Sequence, residues 1–139
     1  MRTLFAVPFV LFAQSVWAGP FENCPPDAFL TQGKTPQSFS LNLVTGDYQV
    51  AAAQHAQAGG KLNALGFNPV DQYIYGWSYD DKGPVRIHSD FSVETLTVSG
   101  LTGANFYVGD VHPSQHEYYV YRRGGGHGLY RIALDPNQP

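Results

Sequence analysis

Apolar and polar residues alternate in short bursts along most of this chain, and the bursts recur. Tyr73-Ile74-Tyr75-Gly76-Trp77 sets Tyr73, Tyr75, Trp77 and then Tyr79 on one face at period two, with Ile74 on the other. That is the pattern of a strand whose two faces are both covered. Turn residues follow at Asp80-Asp81-Lys82-Gly83-Pro84, and then a second strand at Val85-Arg86-Ile87. The same order occurs twice more. The first copy is Ala28-Phe29-Leu30-Thr31, a turn-rich stretch through Gly33 and Pro36, and Ser40-Leu41-Asn42-Leu43-Val44. The third is Tyr119-Val120-Tyr121, the glycine turn around Gly124 to Gly128, and Leu129-Tyr130-Arg131-Ile132. On this alignment Leu43, Ile87 and Ile132 take equivalent places, 44 and 45 residues apart.

Flanking strands match as well. Ala64-Leu65-Gly66-Phe67-Asn68-Pro69 parallels Val108-Gly109-Asp110-Val111-His112-Pro113, with a small insertion after the later proline. A further hairpin follows the paired strands at Thr45-Gly46-Asp47 and, more loosely, at His88-Ser89-Asp90-Phe91. A repeat of about 44 residues with about four short strands is the arithmetic of a β-propeller blade. The expected fold is therefore all-β, a partial β-propeller of about two and a half blades. A β-sandwich of regular hairpins is the rival. Helix is scarce: only Gln49 to Lys61 offers the composition for a short one, or for an inter-blade loop, and Gly59-Gly60 would end it. The first unit has no inner strand, and the chain stops at Leu134 to Pro139 within the third unit's last hairpin. The expectation is an N-terminal part of a longer propeller, or a chain that oligomerises to close.

Residues 1–18 depart from this pattern. Arg2 precedes the apolar run Leu4 to Ala13, and Val16-Trp17-Ala18 ends in the small residue a signal peptidase accepts. The run is about half the roughly 20 residues a membrane span requires, and Pro8 interrupts it. Residues 1–18 thus read as a cleavable signal peptide and 19–139 as the β-repeat domain, secreted and with no stable membrane anchor. Composition agrees: nine Tyr, nine Phe and fifteen Gly among 139 residues are a β-protein's inventory. A net charge of −3 argues against nucleic acid as a partner. The single cysteine, Cys24, implies in an oxidising compartment an intermolecular bridge, a partner elsewhere in a longer chain, or an inert thiol.

Several consecutive runs resemble a family of secreted domains of unknown function known from fungi and bacteria. They are Pro20 to Leu30, Asn42 to Gly46, Asn63 to Asn68, Tyr73 to Trp77, Tyr107 to Val111 and Gly128 to Ile132. The resemblance covers essentially all of residues 19–139. It implies a propeller-like repeat in an extracellular setting and further sequence beyond this chain, and it brings no assigned activity or functional residues.

Candidate chemistry is sparse. His112 and His116 are four apart, but Pro113 places them in a turn and no Cys or Glu completes a zinc set. Asp71, Asp80 and Asp81 are turn carboxylates, with Lys82 where a calcium loop would want another acid. Arg122 and Arg123 precede Gly124-Gly125-Gly126-His127-Gly128, yet a strand follows where a phosphate loop requires a helix. Asn63 and Asp110 lie on inner strands, which in a propeller line the central channel, and Arg122 and Arg123 at the hairpin tip suit an anionic sugar or sulfate; Asn63, Asp110, Arg122 and Arg123 are therefore the candidate ligand-facing residues. No cofactor is called for and no nucleophile motif is present. The expected function is a secreted non-enzymatic binding module for a carbohydrate or an extracellular protein. The alternative is a metal-dependent hydrolase of lactonase type, with Asn63 and Asp110 as two of its ligands.

Overall fold

A computed structural model describes residues 18–53, 55, 60–101, 103–122 and 128–134. Ten strands form three antiparallel sheets, and the described residues contain no helix. The first sheet is β1 (Ala28–Gln32), β2 (Gln37–Leu41) and β3 (Tyr48–Ala52), in that order. The second is β4 (Leu62–Asn68), β5 (Tyr73–Ser78), β6 (Gly83–Ile87) and β7 (Val93–Thr95). The third is β8 (Val108–Val111), β9 (Glu117–Arg122) and β10 (Gly128–Ala133). Each sheet is a meander of neighbouring strands, as short turns dictate.

The aromatic strands of the three copies are β1, β5 and β9, and the strands after their turns are β2, β6 and β10. The flanking strands are β4 and β8; the first sheet has no counterpart to them among the described residues. Two details differ from the sequence alignment. Leu41, paired with Ala28, closes its hairpin as Ile87 does with Ile74. Leu43 lies beyond β2 in the next turn and is 70% exposed. Asn42 draws it there, because its Oδ1 accepts from the amides of Val44 and Thr45 and caps the turn. The helical composition from Gln49 onward is also overridden, since Tyr48 to Ala52 pair with β2 as β3. Of the remainder of that stretch, Gln54 and residues 56–59 fall outside the described residues.

Two cores form where the sheets face each other. Tyr75 and Trp77 on one face of β5 pack with Tyr118, Val120 and Ile132 of the third sheet, and with Phe106. Trp77 is fully buried and meets the Phe106 ring edge-on at 4.5 Å. The opposite face of the second sheet, Ile74, Val85, Ile87 and Val93, packs with Phe21 and, from the first sheet, Phe29. Alternation along β5 therefore feeds both cores at once, as the period-two pattern requires.

The inner strands β4 and β8 approach so closely that glycine is obligatory. A Cβ on Gly66 would lie 2.7 Å from the Val111 amide nitrogen, and one on Gly109 would lie 2.8 Å from the Ala64 carbonyl oxygen. Between Asn63 and Gly66 the ladder slips into a bulge, with Ala64 held at φ 55°. The N-terminal segment docks on the second sheet. The Phe21 amide donates to the Gln72 carbonyl at 2.9 Å, the Ser89 amide donates to the Gly19 carbonyl at 3.1 Å, and His88 Nδ1 meets the Ala18 carbonyl.

Candidate functional site

Asn63 and Asp110 occupy neighbouring inner strands but not equivalent places. Asp110 pairs with Tyr119 as Gly66 pairs with Tyr75, so Gly66 is the counterpart of Asp110. The Asn63 amide is committed to the bulge: its Oδ1 accepts from the Ala64 amide at 3.0 Å and its Nδ2 donates to the Tyr79 hydroxyl at 3.0 Å. Asp110 is exposed, and its Oδ1 accepts from the Val111 amide at 2.8 Å. Among the described residues no group of three or more His, Cys, Asp or Glu is placed to hold a metal ion. Arg122 is half-buried at the end of β9, cross-strand from Gly128. Arg123 lies outside the described residues.

The two histidines of the β8–β9 turn diverge. His112 Nδ1 accepts from the Ser114 amide at 3.3 Å and holds the turn. His116 reaches the second sheet, with Nδ1 3.3 Å from Asn68 Nδ2 and 3.8 Å from Asp71 Oδ2. Asp71 Oδ2 also accepts from the Tyr75 hydroxyl at 2.6 Å. Burial and this carboxylate together push the Tyr75 phenol well above its ordinary range. Asn68, fully buried, caps the neighbouring turn through the Val70 amide. Asn68, Asp71, Tyr75 and His116 thus form a polar clasp between the second and third sheets. Sequence reasoning left Asp71 and His116 as separate turn residues, because 45 positions divide them and only the sheet-on-sheet packing brings them together.

A second cluster escaped sequence reasoning too. Glu94 Oε2 accepts from Arg86 Nη2 at 2.7 Å and lies 3.3 Å from His88 Nε2. The Arg86 guanidinium sits 4.7 Å from the Tyr73 ring centroid. Arg86 and Glu94 are cross-strand partners on β6 and β7, so the pair fixes that hairpin and orients His88 toward the Ala18 carbonyl. Both clusters tie elements together.

An apolar concave feature opens between β1 and β4. A cleft of about 230 Å³ has apolar walls of Pro25, Phe29, Leu65, Phe67 and Ile74, with Cys24 and Asp27 as polar lining. It sits where the first sheet has no inner strand among the described residues, and among them β1 pairs only with β2. Asp27 Oδ2 accepts from Ser40 Oγ at 2.5 Å, which holds the entry to β1 against β2. Cys24 is exposed as a free thiol.

Three meandering sheets stacked face to face, with an equivalent aromatic strand in each, define a protein built by repetition of one antiparallel β-unit. Residues 29–139 match the family DUF6923, described as a repeat of unknown function, and the chain belongs to that family. No curated protein and no solved structure matches it.

Proposed function

We propose that the chain is an exported, non-enzymatic binding module, its three sheets being successive propeller blades, and that it takes an extended segment of another extracellular protein beside β1. The observation that carries this is the open edge of β1 next to the apolar cleft. A strand with one unpaired side offers main-chain hydrogen bonds to an added strand, and an adjacent apolar cleft takes its side chains. The remaining polar groups favour binding over catalysis, because Asn63, Asp71, His116 and Glu94 are engaged in bonds within the chain. Export rests on the basic start, apolar run and small residue at Ala18 in residues 1–18.

Cys24, the single cysteine, lines the cleft and is exposed, so it will carry an environment-sensitive fluorophore. The labelled secreted protein is titrated with a library of extended β-branched peptides and, separately, with neutral and acidic oligosaccharides. Saturable change with peptides and none with sugars is the expected result. Saturation by sugars alone would move the ligand to the carbohydrate class. Cation-dependent hydrolysis of lactones by the same protein would overturn the non-enzymatic assignment.

A further inference from the structure

Two clefts of opposite character lie along β1. The apolar one is at its start, where Ala28 and Phe29 share the lining with Leu65 and Phe67 of β4. The other, of about 400 Å³, is at its end. Thr31 and Gln32 of β1 and Lys34 of the β1–β2 turn line it on one side. Lys61 just before β4, Asn63 on β4 and Tyr79 just after β5 line the other. The two clefts are thus the two ends of one seam between β1 and β4.

Hydrogen-bond donors and positive charge fill the second cleft. Lys34 and Lys61, two of the chain's three lysines, are both exposed. Neither takes part in an ion pair among the described residues. Asn63 Nδ2 donates to the Tyr79 hydroxyl at 3.0 Å, which leaves that hydroxyl's own hydrogen to donate. The described lining contains no carboxylate. Of the turn acids at this end of the strands, Asp81 accepts from the Ser78 hydroxyl at 2.7 Å, and Asp80 lies against Gly60 beside Lys61. The opposite end is acidic. Asp27 lines the apolar cleft, and the turns there carry Asp47, Asp71 and Asp90. A carboxylate is attracted to one end of the seam and repelled from the other.

We propose that the extended segment taken up beside β1 carries an aspartate or glutamate whose carboxylate is held by Lys34 and Lys61, four residues from the apolar side chain in the first cleft. This rests on strand addition at β1, and it sets the partner's chemistry and polarity. Four residues of an added strand span about 13 Å, the length of β1 from Ala28 to Gln32, and residues four apart point to the same face. Acid and apolar anchor therefore reach their clefts together.

The test measures binding of dye-labelled, β-branched peptides to the secreted protein by fluorescence anisotropy. Each peptide has a central Phe and, four residues before or after it, Glu, Gln or Lys. In one of the two orders the Glu peptide should bind about threefold to tenfold more tightly than its Gln counterpart, and the Lys peptide more weakly. The margin should shrink in high salt. K34E/K61E should invert the ranking of Glu and Lys peptides, and K34Q/K61Q should abolish it. Both positions are exposed, so far-UV circular dichroism should not change. Equal binding of the Glu, Gln and Lys peptides leaves strand addition standing and overturns the acidic partner. A Glu preference that survives both double variants places the acid elsewhere and overturns it too. If no peptide binds saturably, strand addition itself fails and takes this proposal with it. Lysine-dependent binding of an oligouronate without peptide binding assigns the cleft to an acidic polysaccharide instead.

Discussion

Single buried polar atoms set the sharpest expectations at the scale of the residue. His55 is buried with Nε2 2.7 Å from Ser38 Oγ, and its Nδ1 has no partner. Burial lowers its pKa below the ordinary 6.5, so the folded chain resists protonating it. The unfolded chain then binds the proton first. The stabilisation is fully present above about pH 6.5 and is lost as pH falls from there toward the folded-state pKa. Urea midpoints should therefore drop between about pH 7.5 and pH 5.5, and H55L should flatten that part of the profile. Trp77 and Tyr118 make a contrasting pair. The buried Trp77 Nε1 has no partner, whereas the Tyr118 hydroxyl donates to the Ala64 carbonyl at 2.7 Å. Tyr118→Phe removes that buried hydrogen bond and should cost about 0.5–1.5 kcal/mol in urea denaturation. Trp77→Ala removes the largest fully buried side chain and should cost about 3–5 kcal/mol, a large share of the total for a domain of this size.

Between elements, close approach and turn geometry decide. Gly109→Ala would press a methyl group against Ala64's carbonyl oxygen and Cβ, both within 2.9 Å of the new atom. Neither neighbour is a flexible side-chain end, so the inner strands must part, at a cost of about 1–3 kcal/mol in thermal or chemical unfolding. Lys82 is the reverse case. It holds φ 55° as the last residue of the β5–β6 turn and is exposed, so Lys82→Gly should raise stability by about 0.5–1 kcal/mol. Strand order was legible at this scale because Tyr73, Tyr75 and Trp77 alternate cleanly with Ile74. Hairpin ends were less so: the apolar pattern extends the strand to Leu43, whereas the Asn42 side-chain amide turns the chain there.

For the whole molecule, the sheets stack in one sense: Phe29 of the first lies under the second, and Tyr75 and Trp77 of the second lie under the third. The candidate site was only partly legible at this scale. Cys24 and Phe29 are visible as sequence features, but the cleft between β1 and β4 lies where the described residues give the first sheet no inner strand. The Asp71–His116 contact likewise needs two sheets to meet.

The sequence by itself determined the repeat, the strands and their turns, since period-two alternation and turn residues are local properties of a chain. It also placed Tyr75 and Trp77 opposite Ile74, so that both faces of the second sheet had to be covered. Only the tertiary structure decided which unit covers which face, where glycine lets inner strands touch, and that Asn63 holds a bulge while Asp110 stands exposed. Those outcomes depend on contacts between residues distant in the chain, and side-chain periodicity carries no information about them.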